Sequence, residues 1–178
     1  FWNSLHVTFS YAFFTVPITL ALGLFIAYLL FQNIRFLSAS RTIFFLPYVT
    51  SLVAAATVWA TLFNPQSGVA NKVRGWFGIP PQNWLLEPNG IFQLIARSFG
   101  VTLPEWAAGP SLALVTIMIF VVWQRLGYDV VIFLAGLGNI PRELYDAAEI
   151  DGAGRWQLFR HITLPPLSPT TFFLIILS

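Results

Sequence analysis

The chain has 178 residues, and its ionisable side chains are few: 9 Lys or Arg against 7 Asp or Glu, a net charge of +2. Charged residues make up 9% and hydrophobic ones 57%, where a soluble domain carries roughly a quarter and about 45 to 50%. So few charges cannot cover a water-facing surface, and with 17% aromatics and no cysteine the composition excludes disorder, a coiled coil, a nucleic-acid binder and a disulfide-stapled domain, leaving a bilayer as the solvent.

The chain begins at Phe1, with no basic region or small-residue cleavage site ahead of an apolar stretch, so it is expected to open inside a longer protein rather than on a signal peptide. From Ser4 to Gln32 no Asp, Glu, Lys or Arg occurs, which is long enough for a first membrane span. Within it Thr15, Thr19, Gly23 and Ala27 recur every four residues, a ladder of small side chains. Such a ladder either lets another helix approach closely or, with Thr8 and Tyr11, lines a polar pathway. Arg35 and Arg41 bracket a short connection, and Thr42 to Phe63 is again uncharged, a second span with Pro47 inside it.

Residues 64–110 carry the turn signals Asn64-Pro65, Ser67-Gly68, Pro80-Pro81 and Pro88-Asn89-Gly90, with Trp76, Trp84 and Trp106 of the type found at membrane interfaces. They predict an ordered external loop containing short helices. A third span runs over about 111–137, carrying Arg125 and Asp129, whose spacing of four lets them pair and lower the cost of charge in lipid. Pro169 opens a last apolar run over 169–178, where about 20 residues are needed to span, so a truncated fourth span is expected. The fold class is therefore an all-α membrane protein, a polytopic transmembrane helix bundle with three full spans at about 4–32, 42–63 and 111–137, within a single domain over 1–178.

Orientation follows from Lys and Arg density by loop. The 32–41 connection has Arg35 and Arg41, and 139–168 has Arg142, Arg155 and Arg160, while the longer 64–110 loop has Lys72, Arg74 and Arg97. The first two segments are expected on the cytoplasmic side.

The segment 140–169 reads IPRELYDAAEIDGAGRWQLFRHITLPPLSP, the one stretch where acidic, basic, small and aromatic residues interleave. Pro141 suits a helix start, Glu143 and Asp146 complement the positive end of the helix dipole, and Gly152 supplies the left-handed residue that stops a helix of about ten residues. A second short helix with Trp156 and Phe159 on one side follows, leading to Leu164-Pro165-Pro166. Two short helices joined at a glycine and tethered to spans at both ends make a rigid lever.

Asp146-Ala147-Ala148, three residues, Gly152, nine residues, then Ile162-x-Leu164-Pro165 resembles the EAA loop of ABC-importer permease subunits, with Asp146 where the family usually has Glu. The wider wording, residues 145–153 and 160–165, looks like the carbohydrate-uptake branch, the maltose and glycerol-phosphate type of first permease. Asn3-Ser4-Leu5, Leu46-Pro47-Tyr48, Asn83-Trp84-Leu85 and Leu134-Ala135-Gly136-Leu137 extend the likeness, which is weakest over 91–110, an apparent insertion. The resemblance implies a type I transmembrane domain in a prokaryotic inner membrane. It also implies that Glu143, Asp146, Ala147, Ala148, Asp151, Gly152, Ile162, Leu164 and Pro165 dock on a cytoplasmic ATPase and transmit its closure.

The implied partners are two ATP-binding subunits, a second permease subunit in a hetero- or homodimer, an extracytoplasmic solute-binding protein, and a sugar or related small solute. The resemblance further places a substrate pathway at Tyr48 and at Trp123, Leu126, Gly127 and Val130, which share one helical face. The alternative at Tyr48 and Trp123 is plain helix packing.

No Gly-x-x-x-x-Gly-Lys-Ser/Thr run occurs, so ATP is expected to be hydrolysed by the partner subunit and no cofactor to be held by this chain. His6 and His161 lie at opposite ends, giving no metal-ligand spacing and no catalytic residue set, so a transport subunit rather than an enzyme is expected. The competing class is an ion- or proton-coupled secondary transporter working through Arg125 and Asp129.

Overall fold

The computed structural model of the chain describes residues 1–32, 37–98, 100–101, 104 and 107–178. Arg35 and Trp106, expected in the short connection and at an interface, lie outside the described residues. The order is α1 (Trp2–Gln32), α2 (Leu37–Val49), α3 (Leu52–Leu62), α4 (Val69–Trp76), α5 (Ile91–Ser98), α6 (Leu112–Gly138), α7 (Arg142–Ile150), α8 (Arg155–Gln157), a π-helical turn (Leu158–Thr163) and α9 (Ser168–Leu177). Among the described residues there is no strand, only an isolated bridge between Gly90 and Ser111.

Two helices are long and apolar enough to cross a membrane, Ser4–Phe31 with mean hydropathy 2.2 and Leu112–Gly138 with 1.7. The expected second span is not one helix. It is the pair α2 and α3, broken at Thr50 and Ser51, and it gives a third crossing if the broken pair is one span. Ser51 leaves helical geometry at φ −53°, ψ 125°. Two adjacent hydroxyl residues favour such a break because their side chains compete for backbone hydrogen bonds.

The chain forms two compact units, Phe1–Thr15 with Thr50–Trp123, and Val16–Val49 with Gln124–Ser178. In the first, α3 turns Ala55, Trp59 and Leu62 inward, and the Trp59 ring stacks on Trp123 at 5.5 Å and tilts against Phe120 at 5.5 Å. The 64–90 segment is held by Asn71, whose Nδ2 donates to the Pro65 and Gln82 carbonyls at 2.9 and 3.0 Å. Its Oδ1 accepts from the Gln82 N–H at 3.1 Å and the Trp84 indole N–H at 2.9 Å. Trp84 is thus a structural residue, half-buried with Arg74 over its ring at 5.3 Å, whereas Trp76 is exposed.

The second unit packs α1, α6 and α9 around Phe133, Leu134, Leu137, Leu167 and Leu174. In this unit the ladder of small residues is a packing face, with Thr19, Gly23 and Ala27 all buried; Thr15, buried as well, belongs to the first unit. A Cβ on Gly23 would come within 3.0 Å of the Asp129 Cβ, so within this unit the glycine is what lets α6 bring Asp129 against α1.

Candidate functional site

The 139–168 loop begins where α6 ends. Ile140 is buried, fixing the exit, and Pro141 (φ −59°, ψ 133°) stands one position before α7 rather than inside its first turn. Glu143 lies in that first turn, where the orphan N–H groups favour a carboxylate. The inner side of α7 is Tyr145 and Ala148, both half-buried, and the outer side carries Glu143, Asp146, Ala147 and Ile150, all exposed.

At its end α7 closes by two bonds that satisfy orphan carbonyls: the Gly152 N–H donates to Glu149 O at 3.0 Å and the Ala153 N–H to Ala148 O at 2.9 Å. This pattern requires a left-handed residue, and Gly152 has φ +80°. The next helix is started by the Gln157 side chain, whose Oε1 accepts from the Gly154 N–H at 2.7 Å. The chain then widens into the π turn, with Leu164 N–H bonded five residues back to Phe159 O at 2.9 Å.

A hydrogen bond between two side chains holds the loop to itself. The hydroxyls of Tyr145 and the fully buried Thr163 share a hydrogen bond at 3.1 Å, tying α7 to the π turn. Replacing Tyr145 by Phe removes about 1 kcal/mol, and amide exchange across 158–163 should quicken about fivefold. Unchanged exchange there would contradict the tie.

Folding back in this way, the loop forms an open cleft of about 290 Å³ lined by Ala148, Asp151, Gly152, Ala153, Gln157, His161 and Ile162. Of the residues expected from the sequence, Ala148, Asp151, Gly152 and Ile162 meet at this cleft. Glu143, Asp146 and Ala147 are exposed, Leu164 is half-buried and Pro165 is exposed at the turn before α9. The chemistry offered is a rim of carboxylate acceptors beside a surface of small side chains.

Sequence reasoning missed Gln157 and His161, which line the cleft, and Ile150, which is 86% exposed. Ile150 leaves a large aliphatic side chain exposed beside the carboxylates of α7. The signal for Gln157 was available, since it stands three residues after the turn that starts α8.

The residues assigned to a substrate pathway fall in different surroundings. Tyr48 stacks on Tyr128 at 4.9 Å and tilts against Phe45 at 5.4 Å. Leu126 packs against the core of the second unit and Val130 is fully buried within it. Gly127 faces the α2 backbone, where an added Cβ would lie 1.8 Å from the Phe44 carbonyl oxygen. Trp123 belongs to the first unit, against Trp59 and Phe120. Arg125 and Asp129 face each other, Nε to Oδ1 at 3.9 Å, and Arg125 Nη2 donates to Leu177 O at 2.6 Å.

Comparison with known proteins decides the family. Residues 2–178 match the family described as binding-protein-dependent transport system inner membrane component. The chain belongs to this family. Among its relatives, a probable ABC transporter permease protein of Pyrococcus horikoshii is 38% identical over 171 residues, covering 96% of this chain and 52% of that protein. The arabinooligosaccharides transport system permease of Bacillus subtilis is 31% identical, covering 99% of this chain and 49% of its own length. The trehalose/maltose transport system permease of Thermococcus litoralis is 31% identical, covering 99% and 52%. The chain therefore spans about half the length of the curated relatives it matches.

Among solved structures, a bacterial alginate ABC transporter in complex with an alginate pentasaccharide-bound periplasmic protein aligns at a TM-score of 0.76 and 25% identity. It covers 97% of this chain and 53% of that one. The curated relatives are named as transport permeases and the aligned structure as an ABC transporter, so the expected all-α transmembrane fold holds for this membrane protein.

Proposed function

We propose that this chain is the pore-forming part of a permease subunit in an ATP-driven importer of a sugar or related solute. In this reading a solute-binding protein delivers cargo on the outer face of a prokaryotic inner membrane that the chain crosses several times. A second permease subunit completes the pore, and two cytoplasmic ATPase subunits drive it. The chain itself catalyses no reaction, and ATP is bound and split by the partner.

The observation that carries the reading is the 139–168 loop. Its spaced motif folds into an exposed helix, a left-handed glycine and a second helix around one cleft, on a scaffold aligned with a sugar-polymer transporter. A proton-coupled carrier would rest on Arg125 and Asp129, which face each other, and gives the loop no role.

The test is uptake of labelled oligosaccharides by cells carrying the full-length permease with its ATPase and binding protein. Deleting the permease should reduce uptake to background, and so should an ATPase subunit unable to hydrolyse ATP. Uptake that persists with the inactive ATPase but collapses with the proton gradient would overturn the proposal in favour of a secondary carrier.

A further inference from the structure

Beside the cleft, but on another side of the same loop, a second concavity of about 580 Å³ remains unassigned. It is walled by Leu24, Phe25 and Tyr28 of α1 and by Arg155, Trp156 and Phe159 after α7. The Phe159 ring sits edge-on to Tyr28 at 5.0 Å and tilts against Trp156 at 5.7 Å, giving the groove an aromatic floor. Phe25 and Trp156 are 59% and 68% exposed.

The two walls belong to different solvents. Leu24, Phe25 and Tyr28 lie within the apolar run Ser4–Phe31, whereas Arg155 stands on the polar loop. The groove therefore joins an apolar helix wall to a polar loop wall, the pairing found at a membrane interface, where Trp and Tyr are favoured. Arg155 is its one ionisable cation among the lining residues, and among the described residues no carboxylate lies within ion-pair distance of it. An apolar trough that ends in an unpaired guanidinium is complementary to an acyl chain that ends in a phosphate. Beside it Leu22, Phe25 and Leu29 leave an exposed apolar side of α1.

We propose that this groove binds an anionic phospholipid, with its phosphate at Arg155 and an acyl chain along Leu24, Phe25 and Trp156. The lipid would join α1 to the loop that carries the glycine turn, so bilayer charge would bear on the loop's position. The inference does not depend on which solute the permease carries.

The experiment uses the full-length permease, assembled with its partner subunits, in nanodiscs of equal phosphatidylglycerol and phosphatidylcholine. The acyl chains of one lipid or the other are brominated, and the fluorescence of Trp156 is obtained as the difference between the native complex and Trp156→Phe. Bromine on phosphatidylglycerol should quench Trp156 as if that lipid were enriched about fivefold at the groove, the preference expected from one cation at a membrane surface. Arg155→Gln should bring the two lipids to equal quenching, and Arg155→Lys should keep the preference. Equal quenching in the native complex would overturn the proposal, as would a preference that survives Arg155→Gln. Absence of quenching by either lipid would overturn it too, since the groove would then be covered by protein.

Discussion

In the proposed importer, Gly152→Val should lower solute uptake roughly tenfold while the permease still inserts and the ATPase subunit still turns over. The glycine has φ +80°, and a Cβ there would meet no atom within 4 Å. The effect must therefore come from the backbone alone. An L-residue in the left-handed region costs about 1 to 2 kcal/mol, and a β-branched one is the least tolerant, which is about a tenfold loss of the native turn. When the turn opens, the Gly152 and Ala153 amides leave the carbonyls of Glu149 and Ala148, and α7 loses its fixed angle to α8. Asn tolerates the left-handed region, so Gly152→Asn should keep most of the uptake. Undiminished uptake in the Val variant, or equal loss with Val and Asn, would contradict the lever.

Gly127→Ala should be the most destabilising glycine-to-alanine change in the membrane part of the chain. A Cβ there would stand 1.8 Å from the Phe44 carbonyl oxygen, 2.5 Å from its carbon and 3.0 Å from the Phe45 Cα, all of them backbone atoms that no rotamer change can move. The contact between α2 and α6 has to open, and overpacking of this kind costs about 1 to 3 kcal/mol or more. Gly75 in α4 is the control, because a Cβ there meets nothing within 4 Å. Gly75→Ala should be neutral or stabilise by about 0.5 to 1 kcal/mol. Thermal unfolding of the purified complex should show a lower midpoint for Gly127→Ala alone. If both variants unfold together with the native complex, α2 does not pack on α6 at Gly127.

Much of this arrangement was legible in the sequence, for physical reasons that differ from element to element. The bounds of α1 follow from uninterrupted apolar length and those of α6 from apolar length on either side of Arg125 and Asp129, since only a helix satisfies its own backbone in lipid. The stop of α7 followed from a glycine after a carboxylate-rich turn. The break between α2 and α3 was hidden because Thr50 and Ser51 stand inside an apolar run that reads as one span. The π turn was hidden as well, because it is tied down by the bond of Thr163 to Tyr145, 18 residues earlier. The same holds for Trp59, whose stacking on Trp123 joins α3 to α6 across 64 positions with no local signal.

At the cleft, spacing named Ala148, Asp151, Gly152 and Ile162, which the fold brings together. It could not find Ile150, because an exposed aliphatic residue is distinguished only by its surroundings. Placing Gly127 on the same helical face as Val130 was correct as geometry, but periodicity does not say what lies opposite a face. Here the α2 backbone lies against Gly127, and Val130 is part of the core.

The measurement that bears most directly on the account is a single-cysteine crosslink. The chain has no cysteine of its own, and Ala147 is exposed on the outer side of α7. With Ala147→Cys in the assembled transporter and single cysteines distributed over the surface of the proposed ATPase subunit, a short bifunctional reagent should join the two chains. The yield should change when ATP is bound without hydrolysis. A cysteine at 147 that reacts freely with small aqueous thiol reagents in the active complex, yet joins to no position on the ATPase, would show that this loop is not where the two proteins meet.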